Sequence, residues 1–140
     1  MATNDVVERL AKVPLFAGCS KKELQTIARA ARQLDHEAGA VLAAEGEPGA
    51  GLFVIDQGEA DVTIGGKLVN RLQAGDFFGE MALLDGGPRT ATVTATTDIT
   101  MFGLTEWVFK GLLTEHPSIA LHALEAMAAR LRKATVTATA

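Results

Sequence analysis

Eleven glycines between residues 39 and 87 constrain this chain more than any other feature of its sequence. They punctuate short stretches such as "GAVLAA", "GLFVID", "EADVTIG" and "KLVNRL", and "TATVTA" follows them, all between Gln33 and Met101. Short apolar runs bounded by glycine read as strands joined by tight turns. About eight strands at this spacing predict a mainly β domain with flanking helices, its centre an antiparallel β-barrel or jelly roll. In "ADVTI", Ala60, Val62 and Ile64 share one face while Asp61 and Thr63 share the other. One side of that strand is therefore expected to be buried and one wet.

Helical periodicity replaces this texture at both ends. In "SKKELQTIARAARQ", Ser20 and Glu23 have capping-box spacing, and Leu24, Ile27, Ala28 and Ala31 fall on one face. A helix precedes it, with Asn4 placed as a cap, Val6, Val7 and Leu10 as its apolar side, and a break at Pro14. Towards the C-terminus, Thr105 is placed to cap "EWVFKGLLTEH", and Pro117 opens "PSIALHALEAMAARLRKA". Ala120, Leu124, Met127 and Leu131 form an apolar stripe there, with Arg130, Arg132 and Lys133 near the negative end of the helix dipole. The expected organisation is one domain over 1–134: N-terminal helices over 1–32, the β-barrel over 33–104, and two C-terminal helices over 105–134. A frayed tail over 135–140 is expected to follow.

Composition then removes whole classes of function. A chain of 140 residues suits a single core, and its apolar runs are too short to cross a bilayer. The opening "MATNDVVERLAKV" carries charges where a signal peptide needs an apolar stretch, so a cytoplasmic protein without membrane insertion is expected. The single cysteine, Cys19, excludes an internal disulfide and reads as a small apolar residue. A net charge of −4 argues against a broad nucleic-acid surface, so any anion site must be local. His36, His116 and His122 lack metal-ligand spacing, and Asp56 and Asp61 read as solvated carboxylates rather than an acid-base pair. There is no G-x-S-x-G elbow and no Walker loop, and Ser20 and Ser118 look like helix-start residues. The expectation is a non-enzyme that uses no metal and no cofactor.

One stretch resists a purely structural explanation. "FFGEMALLDGGPRTATVTA", Phe77 to Ala95, crowds a Gly-Glu pair, a short apolar turn and a Pro-Arg pair together. "GEMALL" is too short for an ordinary helix and reads as one helical turn whose first amides are free, a receptive place for phosphate once Gly79 leaves the approach open. Arg89 adds a guanidinium that can grip two phosphate oxygens. Thr90 and Ala91 are small, so an anion could reach the backbone, and the Thr90 hydroxyl is a further donor. Glu80 would repel a phosphate but accept from the hydroxyl of a sugar on the same ligand. Arginine for phosphate, carboxylate for sugar and amides between them describe a ribose-phosphate site. A silent alternative is a buried Glu80–Arg89 pair in a scaffold that binds nothing.

"FGEMALLDGGPRTATV" resembles the phosphate-binding cassette of the cyclic nucleotide-binding domain family, found in kinase regulatory subunits, catabolite activators and nucleotide-gated channels. The pattern is met at Phe78, Gly79, Glu80, Ala82, Leu83, Pro88, Arg89, Ala91 and Thr92. "LFAGCSKKELQTIA" is similar to the family's helical entry, "AGAVLAAEGEPGAGLFVIDQGEADV" to its strand-turn-strand core, and the last two helices, over 105–134, to its hinge and lid. The resemblance implies that Glu80 accepts from the ribose 2′-hydroxyl, that Arg89 pairs with the cyclic phosphate, and that the amides of Gly79, Met81, Ala82 and Ala91 complete the cradle. It also implies that Val62 and Val69 face the pocket. Met127, Arg130, Leu131 and Arg132 are the candidate lid or base contacts. The ligand implied is cAMP, with cGMP as the competitor, since Thr90 does not discriminate between them. The expected function is a sensor that moves its C-terminal helices on binding; the alternative is a non-binding interaction domain. Its output would lie in a downstream protein or a missing output domain, because no helix-turn-helix follows the last helix.

Overall fold

The computed structural model of the chain describes residues 2–48, 51–79 and 87–139. Helix α1 (Ala2–Ala11) and a 3-10 turn (Pro14–Phe16) lead to helix α2 (Lys21–Ala30). The capping box closes at α2 as its spacing predicts: the Glu23 amide donates to Ser20 Oγ at 3.1 Å, and Glu23 Oε1 accepts from the Ser20 amide at 2.7 Å. That amide is the largest of the influences holding the Glu23 carboxyl below its ordinary range, and the charge of His116, its ion-pair partner, adds to it. Helix α1 starts before Asn4, so Asn4 lies within the helix rather than capping it. Val7 and Leu10 are buried on its inner face, and that docking rather than a cap sets its position.

Eight strands follow: β1 (Arg32–His36), β2 (Val41–Ala43), β3 (Gly51–Gln57), β4 (Ala60–Ile64), β5 (Lys67–Leu72), β6 (Phe77–Phe78), β7 (Thr92–Ala95) and β8 (Ile99–Thr105). They form two four-stranded sheets in the orders β1-β8-β3-β6 and β2-β7-β4-β5, with every pairing antiparallel. Of the two architectures expected, the jelly roll is the one formed; the described strands make no closed barrel. Helix α3 (Glu106–Glu115) starts directly from β8, with the Thr105 hydroxyl accepting from the Val108 amide at 3.2 Å. Helix α4 (Pro117–Thr139) completes the chain, and its helical backbone continues through the segment expected to fray. "TVTAT" contains neither glycine nor proline to stop it.

The long apolar runs of β3 and β8 follow from burial on both faces. Leu52, Val54, Phe102 and Leu104 pack against Val7, Leu10, Leu15, Phe16, Ile27 and Phe109 from the helical elements. Ile55, Ile99 and Met101 point the other way, into a second core shared with Ala43, Ala60, Leu72, Val93 and Ala95. The first sheet is thus a wall between two cores, and the second covers only one of them. In β4 the expected alternation fades along the strand: Ala60 is buried, Val62 half-buried and Ile64 exposed. The register against β5 shifts after Val62, where Val62 faces Asn70 and Thr63 faces Leu68, leaving Val69 as the extra residue of a bulge.

Asp56 corrects the expectation of a solvated carboxylate. Its side chain is 9% exposed, and Asp56 Oδ2 accepts from Arg9 Nη2 at 2.6 Å and Arg9 Nε at 2.9 Å. The Arg9 guanidinium also lies 4.8 Å from the Phe102 ring centroid, so it ties α1 to the first sheet through charge and packing together. Asp61 keeps the more exposed position expected of it, 3.5 Å from Arg71. Arg9→Met would leave the Asp56 carboxylate nearly buried and unpaired, at a cost of about 2 kcal/mol. Urea unfolding of the variant is expected to show that loss as a lower midpoint at constant slope.

Helix α4 also corrects the phase of the predicted stripe. Its inner face carries Ile119 and Ala123, both buried, followed by the partly buried Ala126. Leu124 and Leu131 of the predicted stripe are exposed, and Met127 is half-buried. Apolar residues occupy more than half the circumference of this helix, so periodicity alone does not determine which sector faces inward. Packing against the 3-10 turn and α3 selects the sector one residue out of phase with the prediction.

Candidate anion site

Arg89 is positioned by a small antiparallel pairing on the way to β7. The Arg89 amide donates to the Glu47 carbonyl at 2.8 Å, the Arg89 carbonyl accepts from the Gly46 amide at 2.8 Å, and Pro48 bridges to Pro88. Proline suits this place, since its ring fixes φ and it has no amide to satisfy. The side chain then reaches the end of β6. Its guanidinium lies 5.6 Å from the Phe53 ring centroid, and Phe53 packs on Phe78 with centroids 5.3 Å apart.

Gly79 is the other half of this arrangement. Its φ of +96° is one that residues with a side chain rarely adopt. A Cβ there would sit 2.5 Å from the Gly51 carbonyl oxygen and 3.3 Å from Arg89 Nη1. The glycine therefore lets β6 pass against β3 and leaves room for the guanidinium. Sequence spacing placed Gly79 and Arg89 in one site, and the fold brings them into direct proximity.

The electrostatics favour an incoming anion. Arg89 is half-buried, and burial pushes its pKa below the ordinary guanidinium value, with the charge of Glu47 acting in the opposite direction. Among the described residues no carboxylate lies within ion-pair distance of it. A partly desolvated cation supported by an aromatic face and a distant carboxylate gains most from a ligand that brings negative charge with it.

Other predicted residues divide by location. Ala91 is half-buried and Thr90 exposed, immediately before β7. The Thr92 hydroxyl is committed to the scaffold, accepting from the Glu45 amide at 3.1 Å. Val62 lies in β4 opposite Val93 of β7, and Val69 sits at the β5 bulge, 48% exposed. Glu80, Met81 and Ala82 lie outside the described residues, as does the predicted helical turn. On α4, Arg130 is turned to the end of β6, where Nη2 donates to the Phe77 carbonyl, while Leu131 and Arg132 are exposed. Cys19 is partly buried, and burial pushes its thiol pKa up, in keeping with a passive role. No group of three or more metal-ligating side chains occurs among the described residues, and none of the helices searched is long and apolar enough to cross a membrane.

Sequence reasoning missed Phe53 and the 46–48 segment. Phe53 read as one more apolar residue of "GLFVID", and only the pairing of β3 with β6 shows that it lies beneath Arg89. The Gly and Pro of "GEPG" signal a turn but not its partner. Two clefts elsewhere are poor competitors for an anion. One of about 450 Å³ is lined by Gly58, Glu59, Gln73, Ala74 and Thr97. The other, of about 330 Å³, includes Asp35, Glu37 and Asp98. The first carries Glu59 and no basic residue, and in the second three carboxylates outnumber the single imidazole of His36.

The described residues thus form a jelly roll flanked by helices, in which an arginine and a close-approach glycine meet at β6, the strand before β7. A family model described as the cyclic nucleotide-binding domain matches residues 33–116. The chain belongs to the cyclic nucleotide-binding domain family. Among its relatives is a cAMP-dependent protein kinase regulatory subunit of Colletotrichum orbiculare, 40% identical over 74% of this chain and 27% of that protein. The regulatory domain of Toxoplasma gondii PKA, solved with cAMP, superposes with a TM-score of 0.81 at 27% identity, covering 90% of this chain and 50% of that one. A regulatory subunit of a cAMP-independent protein kinase A from Trypanosoma brucei superposes equally well, with a TM-score of 0.82 at 26% identity, covering 90% and 46%. The chain spans only about a quarter to a third of the length of the first curated relatives it matches.

Proposed function

We propose that this chain is a cAMP-responsive regulatory module without catalytic activity of its own, acting in the cytoplasm. The observation that carries the reading is Arg89: half-buried, seated over Phe53, against Gly79, and without an ion-pair partner among the described residues. In this reading the cyclic phosphate docks on Arg89 and on the amides of Gly79, Met81, Ala82 and Ala91, while Glu80 takes the ribose 2′-hydroxyl. Val62 and Val69 contribute apolar wall, and Thr90 offers a hydroxyl beside the phosphate. The family supports a cyclic nucleotide, and the fungal and apicomplexan relatives favour cAMP over cGMP.

Ligand binding would act on the helices because α3 leaves β8 without a linker and α4 returns to the end of β6. A ligand that prefers one placement of these helices shifts their population toward it. The partner that reads the shift would be a separate catalytic or effector protein, or a further domain. The trypanosome structure favours a second reading, since it carries the same fold under a name that excludes cAMP dependence.

Isothermal titration with cAMP, cGMP and 5′-AMP separates these readings. Saturable heat with cAMP, weaker binding of cGMP and far weaker binding of 5′-AMP is expected. Tighter binding of cGMP would change the ligand assigned, and absence of heat with every nucleotide would favour a scaffold that binds none of them.

A further inference from the structure

Each sheet of the jelly roll leaves one edge facing α4. Strands β5 and β6 are edge strands of different sheets, and they are consecutive in the chain. An edge strand presents backbone groups that its own sheet does not pair. In β6 the register settles which groups these are. The Asp76 carbonyl accepts from the Ile55 amide at 2.8 Å, so the next carbonyl, that of Phe77, points away from β3.

Arg130 takes that carbonyl. Its Nη2 donates to the Phe77 oxygen, and its guanidinium lies 4.7 Å from the centroid of the Phe77 ring. Lys133, one turn further along the same side of α4, donates to Asn70 Oδ1 at 3.1 Å in β5. A single helix is therefore fastened to the open edge of both sheets. The two attachment points also flank the candidate site: Phe77 lies two residues before Gly79, and Asn70 follows Val69 at the bulge.

We propose that Arg130 and Lys133 are positioning residues that couple the placement of α4 to the geometry of the anion site. Displacing α4 removes the donor on the Phe77 carbonyl and the cation on its ring, which loosens the strand that delivers Gly79 to Arg89. Binding free energy and helix placement are then linked, and the linkage is reciprocal: whatever holds α4 down tightens the ligand, and the ligand tightens α4. This assigns Arg130 a role through β6 rather than a direct contact with the base. The affinity part of the inference rests on the proposed cAMP reading; the mechanical part does not.

The test uses Arg130→Met, Arg130→Lys and Lys133→Met in the full chain, with hydrogen exchange of residues 76–79 and 119–133 measured with and without cAMP, alongside cAMP affinity and dissociation rate. Arg130→Met is expected to speed exchange in both segments without nucleotide and to weaken cAMP about tenfold, mainly through faster dissociation. Arg130→Lys keeps a donor but loses the planar stack, so it should fall between wild type and Arg130→Met. Lys133→Met should weaken cAMP about fivefold, at the low end of such couplings. Arg89→Ala, in contrast, should lose ligand while leaving exchange of nucleotide-free α4 at its wild-type rate.

Unchanged exchange in both segments of the Arg130 variants would overturn the attachment. Faster exchange with unchanged affinity would overturn its coupling to the site. Were the wild type to bind no nucleotide, the cAMP reading would fail, and exchange in the nucleotide-free variants would still decide the attachment. If Arg130→Met failed to fold, Arg130→Lys and Lys133→Met would carry the same comparison.

Discussion

Arg89→Ala is expected to weaken cAMP binding by about 3 kcal/mol, roughly a hundredfold in Kd. The loss is large because the guanidinium is the half-buried positive group beside Gly79, and a phosphate already stripped of water would be left facing Phe53. Stability should move little, since the side chain has no ion-pair partner among the described residues whose charge would be stranded by its removal. Arg89→Lys should recover part of the affinity, because it restores charge but not the planar fork. Calorimetric titration together with a thermal melt checks both halves. Wild-type affinity in the alanine variant would show that the phosphate lies elsewhere.

The second large effect belongs to Gly79. Gly79→Val combines a backbone at φ +96° with a Cβ 2.5 Å from the Gly51 carbonyl oxygen. Neither atom can move cheaply, because both belong to paired or adjoining backbone. Positive-φ strain and overpacking together should cost about 3 kcal/mol of folding stability. The same side chain would press on Arg89 Nη1, so the fraction that folds should also bind cAMP poorly. Gly79→Ala should show a smaller version of both effects. Chemical denaturation and titration at saturating protein separate the stability loss from the binding loss, and a stable, tightly binding Gly79→Val would contradict the packing described.

The pairing of Gly79 with Arg89 was legible because the chemistry is concentrated in one short stretch, where residue types and spacing carry the information. The Ser20–Glu23 capping box and the Thr105 cap were legible for the same reason, since a cap is completed within one helical turn. The glycine spacing likewise predicted short strands, although it left a barrel and a jelly roll equally open.

Features that join distant segments were not legible. Asp56 looked solvated until α1 folded over β3 and brought Arg9 to it across 47 residues of sequence. Phe53 came to lie beneath Arg89 only through its register opposite Phe78. The inward sector of α4 was misassigned by one position because Leu124 and Leu131 are as apolar as Ile119 and Ala123, and hydrophobicity alone does not rank faces that are all apolar. Arg130 illustrates the same limit: its place in the sequence suggested a response to the helix dipole or a lid or base contact, and gave no sign of the Phe77 carbonyl 53 residues earlier in β6 to which it donates.

By itself the sequence determined the strand-rich centre, the helical ends and the grouping of Gly79 with Arg89 in one short stretch, because turns, caps and short motifs are settled by neighbours along the chain. The tertiary structure decided the sheet order, the burial of Asp56, the aromatic seat of Arg89, and the fastening of α4 to two sheet edges. Those depend on register and packing between segments far apart in sequence, where a shift of one residue turns each side chain of a strand to the opposite face and each side chain of a helix through about 100°.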